Sequence, residues 1–587
     1  MCSIIGYKGK NFAAPILVNS LKRMEYRGYD SVGVATIDEG KMLVRKGTGK
    51  VAEVNKKLDM SHMLGNIGIG HTRWATHGGV TDKNAHPHAA GDNKIAVVHN
   101  GIIENYKELK SELIKTGYIF ASETDSEVIA HLLNLYFNET KNIKQALMKT
   151  CKRLQGAYAF VAVFDDGTIG GVRYEEPLIV GVAKDGYFVS SDVLGFLEHT
   201  DKAIFLDNGD ITIVNDDKIQ IFDFNGKPVD RPITQVAWEL GDIDKGKYAH
   251  HTLKEIDEQK LSIVKAYNQE EARMKKFLRI LRAAKNVYIV GSGTSYHSAL
   301  VAKHVFGMYA KMRVEAVMSS ESKYVLSFLD EDSVVIAISQ SGETADVLDS
   351  VRLAKSQGVK VLSIVNVTTS SLARMSDAFL GTNSGPEIGV AATKSFTAQL
   401  IIIYALADRL CRGKLGLDKE KLIHAVDSVL SNKSTIEKLA QELKNNKDLY
   451  LLGRSLHYPI ALEGALKVKE LAYVHAEGIA AGELKHGPLA LMEKNTIVMI
   501  LNPHDTTFND TISNAHEIKA RGATVVGLSD QKEDVYDYWI PIPALSEEAF
   551  YPIVEVIPLQ FLAYYLAVGK NIDPDYPRNL AKSVTVR

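Results

Sequence analysis

Asn286-Val-Tyr-Ile-Val-Gly291 decides the architecture of the C-terminal part of this chain, because it recurs as Asp448-Leu-Tyr-Leu-Leu-Gly453. Each is a short apolar run closed by glycine and followed by helix-forming sequence, as expected of a strand buried on both faces. The correspondence continues. Val334-Val-Ile-Ala-Ile338 and a helix over 346–356 match Ile497-Val-Met-Ile-Leu501 and a helix over 510–521. Gly358-Val-Lys-Val-Leu-Ser-Ile-Val365 then matches Gly522-Ala-Thr-Val-Val-Gly-Leu528. Strands alternating with amphipathic helices predict two copies of one α/β unit with parallel sheets.

Upstream the texture differs. Ile95-Ala-Val-Val98, Ala159-Phe-Val-Ala-Val-Phe164, Leu178-Ile-Val-Gly-Val-Ala183 and Ile211-Thr-Ile-Val214 are strand signals, and Ser126 to Phe137 carries a helical period. Residues 1 to 238 therefore read as a mixed α+β domain. The polar stretch 239–258 reads as a linker, and 261–284 as one charged helix.

The 587 residues, 45% of them hydrophobic, predict about three domains. Sixty-nine basic against seventy-one acidic residues leave no global field for nucleic acid or an anionic membrane, so phosphate recognition has to be local. Cys2, Cys151 and Cys411 form no CxxC pair, which argues against a disulfide framework or a zinc knuckle and for a reducing cytoplasm. The first residues carry no signal-peptide pattern and no uninterrupted apolar run reaches about 18 residues, so neither export nor a membrane span is expected.

Removal of Met1 would leave Cys2 with a thiol and a free α-amine. The amine, with an ordinary pKa of about 7.7 to 8.0, can accept the proton of a thiol of about 8.5. A small buried cysteine in a first strand is the alternative. Four segments accompany it: Tyr26-Arg-Gly-Tyr-Asp-Ser31, Gly70-His-Thr-Arg-Trp-Ala-Thr-His77, Val98-His-Asn-Gly-Ile-Ile-Glu104 and Ser122-Glu-Thr-Asp-Ser126. Read alone, Arg73 could be a surface ion pair, Asp125 a helix N-cap and His77 a loop histidine. His86-Pro-His88 lacks the spacing of a metal site, and none is expected.

With these segments the first domain resembles the class II glutamine amidotransferases, which are N-terminal nucleophile hydrolases. The resemblance makes Cys2 the nucleophile and gives the oxyanion hole to Asn100 and the Gly101 N–H. It implies that Arg73 pairs with the α-carboxylate of L-glutamine, that Asp125 holds its α-ammonium, and that Thr76 and His77 line the pocket. Trp74 becomes a gate to the ammonia path.

In the repeats, Gly291-Ser-Gly-Thr-Ser295 lacks the third glycine of a dinucleotide fingerprint, since Tyr296 stands there. A hydroxyl-rich turn ending in Ser295 before a helix still suits a small phosphate. Ser339-Gln340-Ser341-Gly342-Glu343-Thr344 is the stronger signal, with three hydroxyls and an amide between a strand and a helix. The second copy reads Asn502-Pro-His-Asp-Thr506, so only the first copy is expected to bind phosphate.

The hexapeptide and the duplication resemble the sugar isomerase domain superfamily, and the combination resembles the glutamine:fructose-6-phosphate amidotransferase family over nearly the full chain. The resemblance implies an α+β N-terminal nucleophile hydrolase domain followed by two α/β sugar isomerase domains with parallel sheets. Its segments are an amidotransferase domain over 2–221, a linker and connecting helix over 222–276, isomerase domains over 277–418 and 440–577, and a tail over 578–587 at the sugar site. His486 would open the ring of fructose 6-phosphate, Lys582 form a Schiff base with the ketone, Glu470 move the proton between C1 and C2, and Lys467 stabilise the enolate-like charge. Without the resemblance, Lys467 and Glu470 read as a surface pair on one helix face. No metal or organic cofactor is implied, and a homodimer is. Where the family commonly has serine this chain has Ala392, and the linker carries Lys247 and Lys260. The implied activity makes glucosamine 6-phosphate and glutamate, ammonia passing inside the protein. An amino-sugar-phosphate deaminase and a non-catalytic sugar-phosphate sensor are the competing readings.

Overall fold

In the N-terminal part, alternation along each strand sends neighbouring residues into two different cores. On strand Ile95–Ile103, Ile95 and Val97 meet the apolar faces of helices Tyr106–Lys115, Glu127–Thr140 and Ile143–Cys151, while Ala96 and Val98 join Ile4, Ile69 and Val180. Strand Gly156–Phe164 repeats the division, with Phe160 and Phe164 on one side and Val161 and Val163 on the other. The computed structural model, which describes residues 2–215, 218–236, 238 and 240–585, thus stacks an eight-stranded and a six-stranded antiparallel sheet. Helix Ala13–Met24 covers the outer face of the larger sheet, where Gly68 and Gly70 leave room for Leu17 and Leu21.

The chain divides into two compact units, residues 1–242 with 581–587, and residues 243–580. The second unit holds two five-stranded parallel sheets. One runs in the order Val314–Met318, Asn286–Gly291, Ser333–Ser339, Lys360–Val365, Ala378–Gly381. The other runs His475–Ala480, Asp448–Gly453, Ile497–Leu501, Thr524–Ser529, Tyr538–Pro541. In both, the first strand in sequence lies second in the sheet, the doubly wound order whose switch point opens beside that strand. The duplication read from the two strand motifs is therefore a duplication of topology.

The polar stretch read as a linker contains helices Leu240–Ile243 and His251–Asp257. The second is tied down by the buried Asp575, whose carboxylate accepts from the N–H groups of His251 and Thr252, both at 2.8 Å. The charged helix is two, Gln259–Tyr267 and Glu271–Ala283, broken where the Gln269 amide turns to the Gly381 carbonyl at 2.8 Å. Lys260 pairs with Asp427 at 3.0 Å, and the adjacent Gln259 is buried against Gln560. One helix, Tyr551–Gly569, lies in a stretch long and apolar enough to cross a membrane, but 83% of that stretch's most apolar window is buried inside the unit. Its composition is that of a helix packed on all sides.

Candidate active site

Strand Ser3–Gly9 pairs with Ile67–Arg73, Ser3 opposite Thr72, so Cys2 arrives beside the end of that strand. There the Trp74 N–H donates to Cys2 Sγ at 3.2 Å, and the Trp74 ring stands edge-on to Tyr29. Burial pushes the Cys2 thiol up, and the Trp74 N–H opposes this. Met1, on whose removal the free α-amine depends, lies outside the described residues. From the other sheet, Asn100 Nδ2 donates to the Cys2 carbonyl at 3.0 Å. Gly101 has φ +104°, and a Cβ there would lie 2.0 Å from the Ala157 carbonyl oxygen.

Asp125 is not the cap of helix Glu127–Thr140. Ser126 occupies that position, and Asp125 accepts from the Ile103 N–H at 2.8 Å, which fixes it at the end of the strand carrying Asn100. Arg73 is buried rather than a surface ion pair. Its guanidinium donates to the carbonyls of Gly78 and Gly79, each at 3.1 Å, and of His77. Thr76 is exposed on the same loop, and the half-buried His77 ring meets Tyr106 edge-on.

Behind Cys2 stands His71, which the sequence alone does not single out within its motif. It shares the inter-sheet face of its strand with Ile69, and its Nε2 lies 2.9 Å from the His99 carbonyl and 3.2 Å from Asn100 Oδ1. Both are acceptors, so Nε2 carries the proton and donates. Burial holds the ring down at about 3, hence neutral. His86 stacks on it at 4.1 Å, and His99 Nδ1 is 2.8 Å from Ser126 Oγ. Asn100 is thereby oriented with its amide N–H toward Cys2.

In the second unit, helix His457–Ala472 turns one face inward. Glu463, Lys467 and Glu470 lie along it at the intervals that share a helix face. The surface-pair reading fails, because Lys467 and Glu463 are both 0% exposed. Lys467 Nζ lies 2.6 Å from Glu470 Oε2 and 3.3 Å from Glu463 Oε1. Burial works against both charges. Glu463 and Glu470 nevertheless hold the ammonium above the ordinary lysine range, and Lys467, with His297 and Thr294, holds Glu463 below the usual carboxylate range. Glu463 was legible only as the residue one turn before Lys467.

At the segment expected to bind phosphate, strand Ser333–Ser339 gives way to helix Ala345–Ser356. Ser339 Oγ accepts from the Gly342 N–H at 3.0 Å and lies 3.3 Å from Thr344 Oγ1, while Ser341 Oγ accepts from the Glu343 N–H at 3.2 Å. Gln340 is half-buried in the same loop. Ser295, already inside helix Thr294–Met308, accepts from Gln399 at 3.2 Å. The matching end of the second sheet is occupied by side chains paired with one another: His504 lies 3.0 Å from Asp530, and Asp505 lies 2.7 Å from His457. His486 is exposed at the end of the short helix Ala481–His486, with no hydrogen bond or ion pair among the described residues. Lys582 falls in the terminal segment grouped with the first unit, and Val586 and Arg587 lie outside the described residues.

A glutamine amidotransferase domain profile matches residues 71–198, and a SIS domain profile matches 280–409 and 442–569. The glutamine--fructose-6-phosphate aminotransferase (isomerizing) of Pyrococcus horikoshii is 47% identical over 600 residues, covering 100% of both chains, and that of Aquifex aeolicus is 43% identical over 601 residues at the same coverage. Among solved structures, the C-terminal domain of glucosamine-fructose-6-phosphate aminotransferase from Francisella tularensis has a TM-score of 0.51 at 33% identity, covering 57% of this chain and 99% of that one. Fold, site and likeness define the class: a glutamine amidotransferase unit joined to paired sugar isomerase domains. The chain belongs to the glutamine--fructose-6-phosphate aminotransferase (isomerizing) family.

Proposed function

We propose that this chain transfers the amide nitrogen of L-glutamine to D-fructose 6-phosphate and isomerises the product to D-glucosamine 6-phosphate, releasing L-glutamate. What carries the reading is the 47% identity, from end to end, with an aminotransferase of that name. With Met1 removed, the Cys2 amine takes the thiol proton and the sulfur attacks the carboxamide of glutamine. Asn100 Nδ2 and the Gly101 N–H receive the oxyanion, ammonia leaves, and water frees glutamate from the thioester. Arg73 binds the α-carboxylate and Asp125 the α-ammonium, with Thr76 and His77 lining the pocket and Trp74 gating the exit of ammonia.

In the second reaction Ser295, Ser339, Gln340, Ser341 and Thr344 hold the sugar phosphate at the starts of two helices. His486 opens the ring and Lys582 forms the Schiff base that ammonia displaces. Glu470 carries the proton between C1 and C2, and the Lys467 ammonium balances the charge that develops on oxygen. Two copies associate as a homodimer. The test is to supply purified protein with both substrates: glutamate and glucosamine 6-phosphate appear one for one. Glutamate released with no amino sugar from any ketose phosphate overturns the reading, and a Lys582→Ala variant at the wild-type rate overturns the Schiff base.

A further inference from the structure

Helix Thr294–Met308 grips the carboxylate of Glu463 with two donors, one for each oxygen. Thr294 Oγ1 donates to Oε1 at 3.1 Å, and His297 Nδ1 lies 2.7 Å from Oε2. Thr294 also accepts from Lys467 Nζ at 3.0 Å, which closes a ring of contacts through Glu463, Thr294 and Lys467. Because the carboxylate is fully buried and ionised, His297 Nδ1 carries a proton and donates, whether the ring is neutral or cationic. His297 and Thr294 stand three residues apart, on one face of their helix.

We propose that His297 is a positioning residue for the sugar-isomerising reaction: by holding Glu463 Oε2 it keeps the Lys467 ammonium directed at Glu470. Two carboxylates compete for a single cation. Lys467 lies between two carboxylates, closer to Glu470 at 2.6 Å than to Glu463 at 3.3 Å. Glu463 has no solvent to turn to. Deprived of the His297 donor, its second oxygen is a buried acceptor with Lys467 as the nearest cation, so the carboxylate rotates and draws Nζ away from Glu470. The ammonium then no longer faces the position from which Glu470 moves a proton, although the phosphate loop over 339–344, on other elements, is untouched and Ser295, on the helix of His297, keeps its own partner Gln399 at 3.2 Å.

This inference rests on the roles proposed for Lys467 and Glu470, and the experiment separates the two. Three full-length variants, His297→Leu, His297→Asn and Glu470→Gln, are followed for amino-sugar formation and for exchange of the C1 proton of fructose 6-phosphate with deuterium oxide. The expected result is a fall in kcat of at least tenfold in His297→Leu with KM for fructose 6-phosphate within twofold. His297→Asn, which keeps an N–H donor at that position, recovers to within about threefold of wild type. An unchanged kcat in His297→Leu, or an equal loss in the Leu and Asn variants, overturns the positioning role while a dead Glu470→Gln leaves the site reading intact. A fully active Glu470→Gln overturns the site reading itself, and the inference with it.

Discussion

Cys2 depends on neighbours that are distant in sequence and only a bond or two away in space. The Asn100 amide reaches its carbonyl at 3.0 Å and is itself turned by His71, so an Asn100→Ala variant keeps the sulfur in place and loses one donor. Its glutaminase kcat falls by about 10²–10³, typical of one oxyanion donor, with C1 proton exchange on fructose 6-phosphate unaffected. Gly101→Ala is more damaging, because the methyl collides with the Ala157 carbonyl as well as meeting a positive φ. Steady-state glutamate release checks both. At this scale the sequence carried Cys2 and the motifs around it, whereas His71 was unreadable: a histidine in a strand announces neither its face nor its tautomer.

Helix His457–Ala472 carries the buried Lys467 and packs against helix Tyr551–Gly569 through Gly464, where a Cβ would come 2.6 Å from Leu559 Cδ1 and 2.9 Å from Leu451 Cδ2. Gly464→Ala therefore overpacks that contact. We expect a loss of about 1–3 kcal/mol, measured by urea unfolding, despite the better helix propensity of alanine. The same helix begins on His457, buried between Asp505 at 2.7 Å and Glu555 at 2.8 Å. Burial and the positive end of the helix both disfavour a cation there. The two carboxylates prevail and raise the imidazole to about 10. Since its folded pKa is above the ordinary 6.5, its stabilisation is fully present below about 6.5 and is lost as pH rises through about 10. The melting temperature should fall across that window, and His457→Gln should flatten the fall. Periodicity showed that this helix exists; the buried carboxylates that meet His457 come from a loop and a helix far along the chain.

Across the molecule, the proposed reaction has one unit release ammonia and the other consume it. Ammonia set free in neutral water is mostly protonated and no longer nucleophilic, so with glutamine as donor and 15N-ammonium in the buffer the amino sugar should carry unlabelled nitrogen. Mass spectrometry of the product checks this, and label entering in proportion to the buffer pool contradicts internal transfer. The sequence by itself determined the duplication, the parallel sheets and the glutamine amidotransferase domain, because strand period, strand length and contiguous motifs are local properties that survive in one dimension. Only the tertiary structure decided that Lys467 is a buried cation held between two carboxylates, that Asp125 anchors a strand end instead of capping a helix, and that His297 closes on Glu463. Burial and hydrogen-bond partnership are set by elements far apart in the chain. A charged residue on a helix face reads the same in sequence whether that face meets water or another helix.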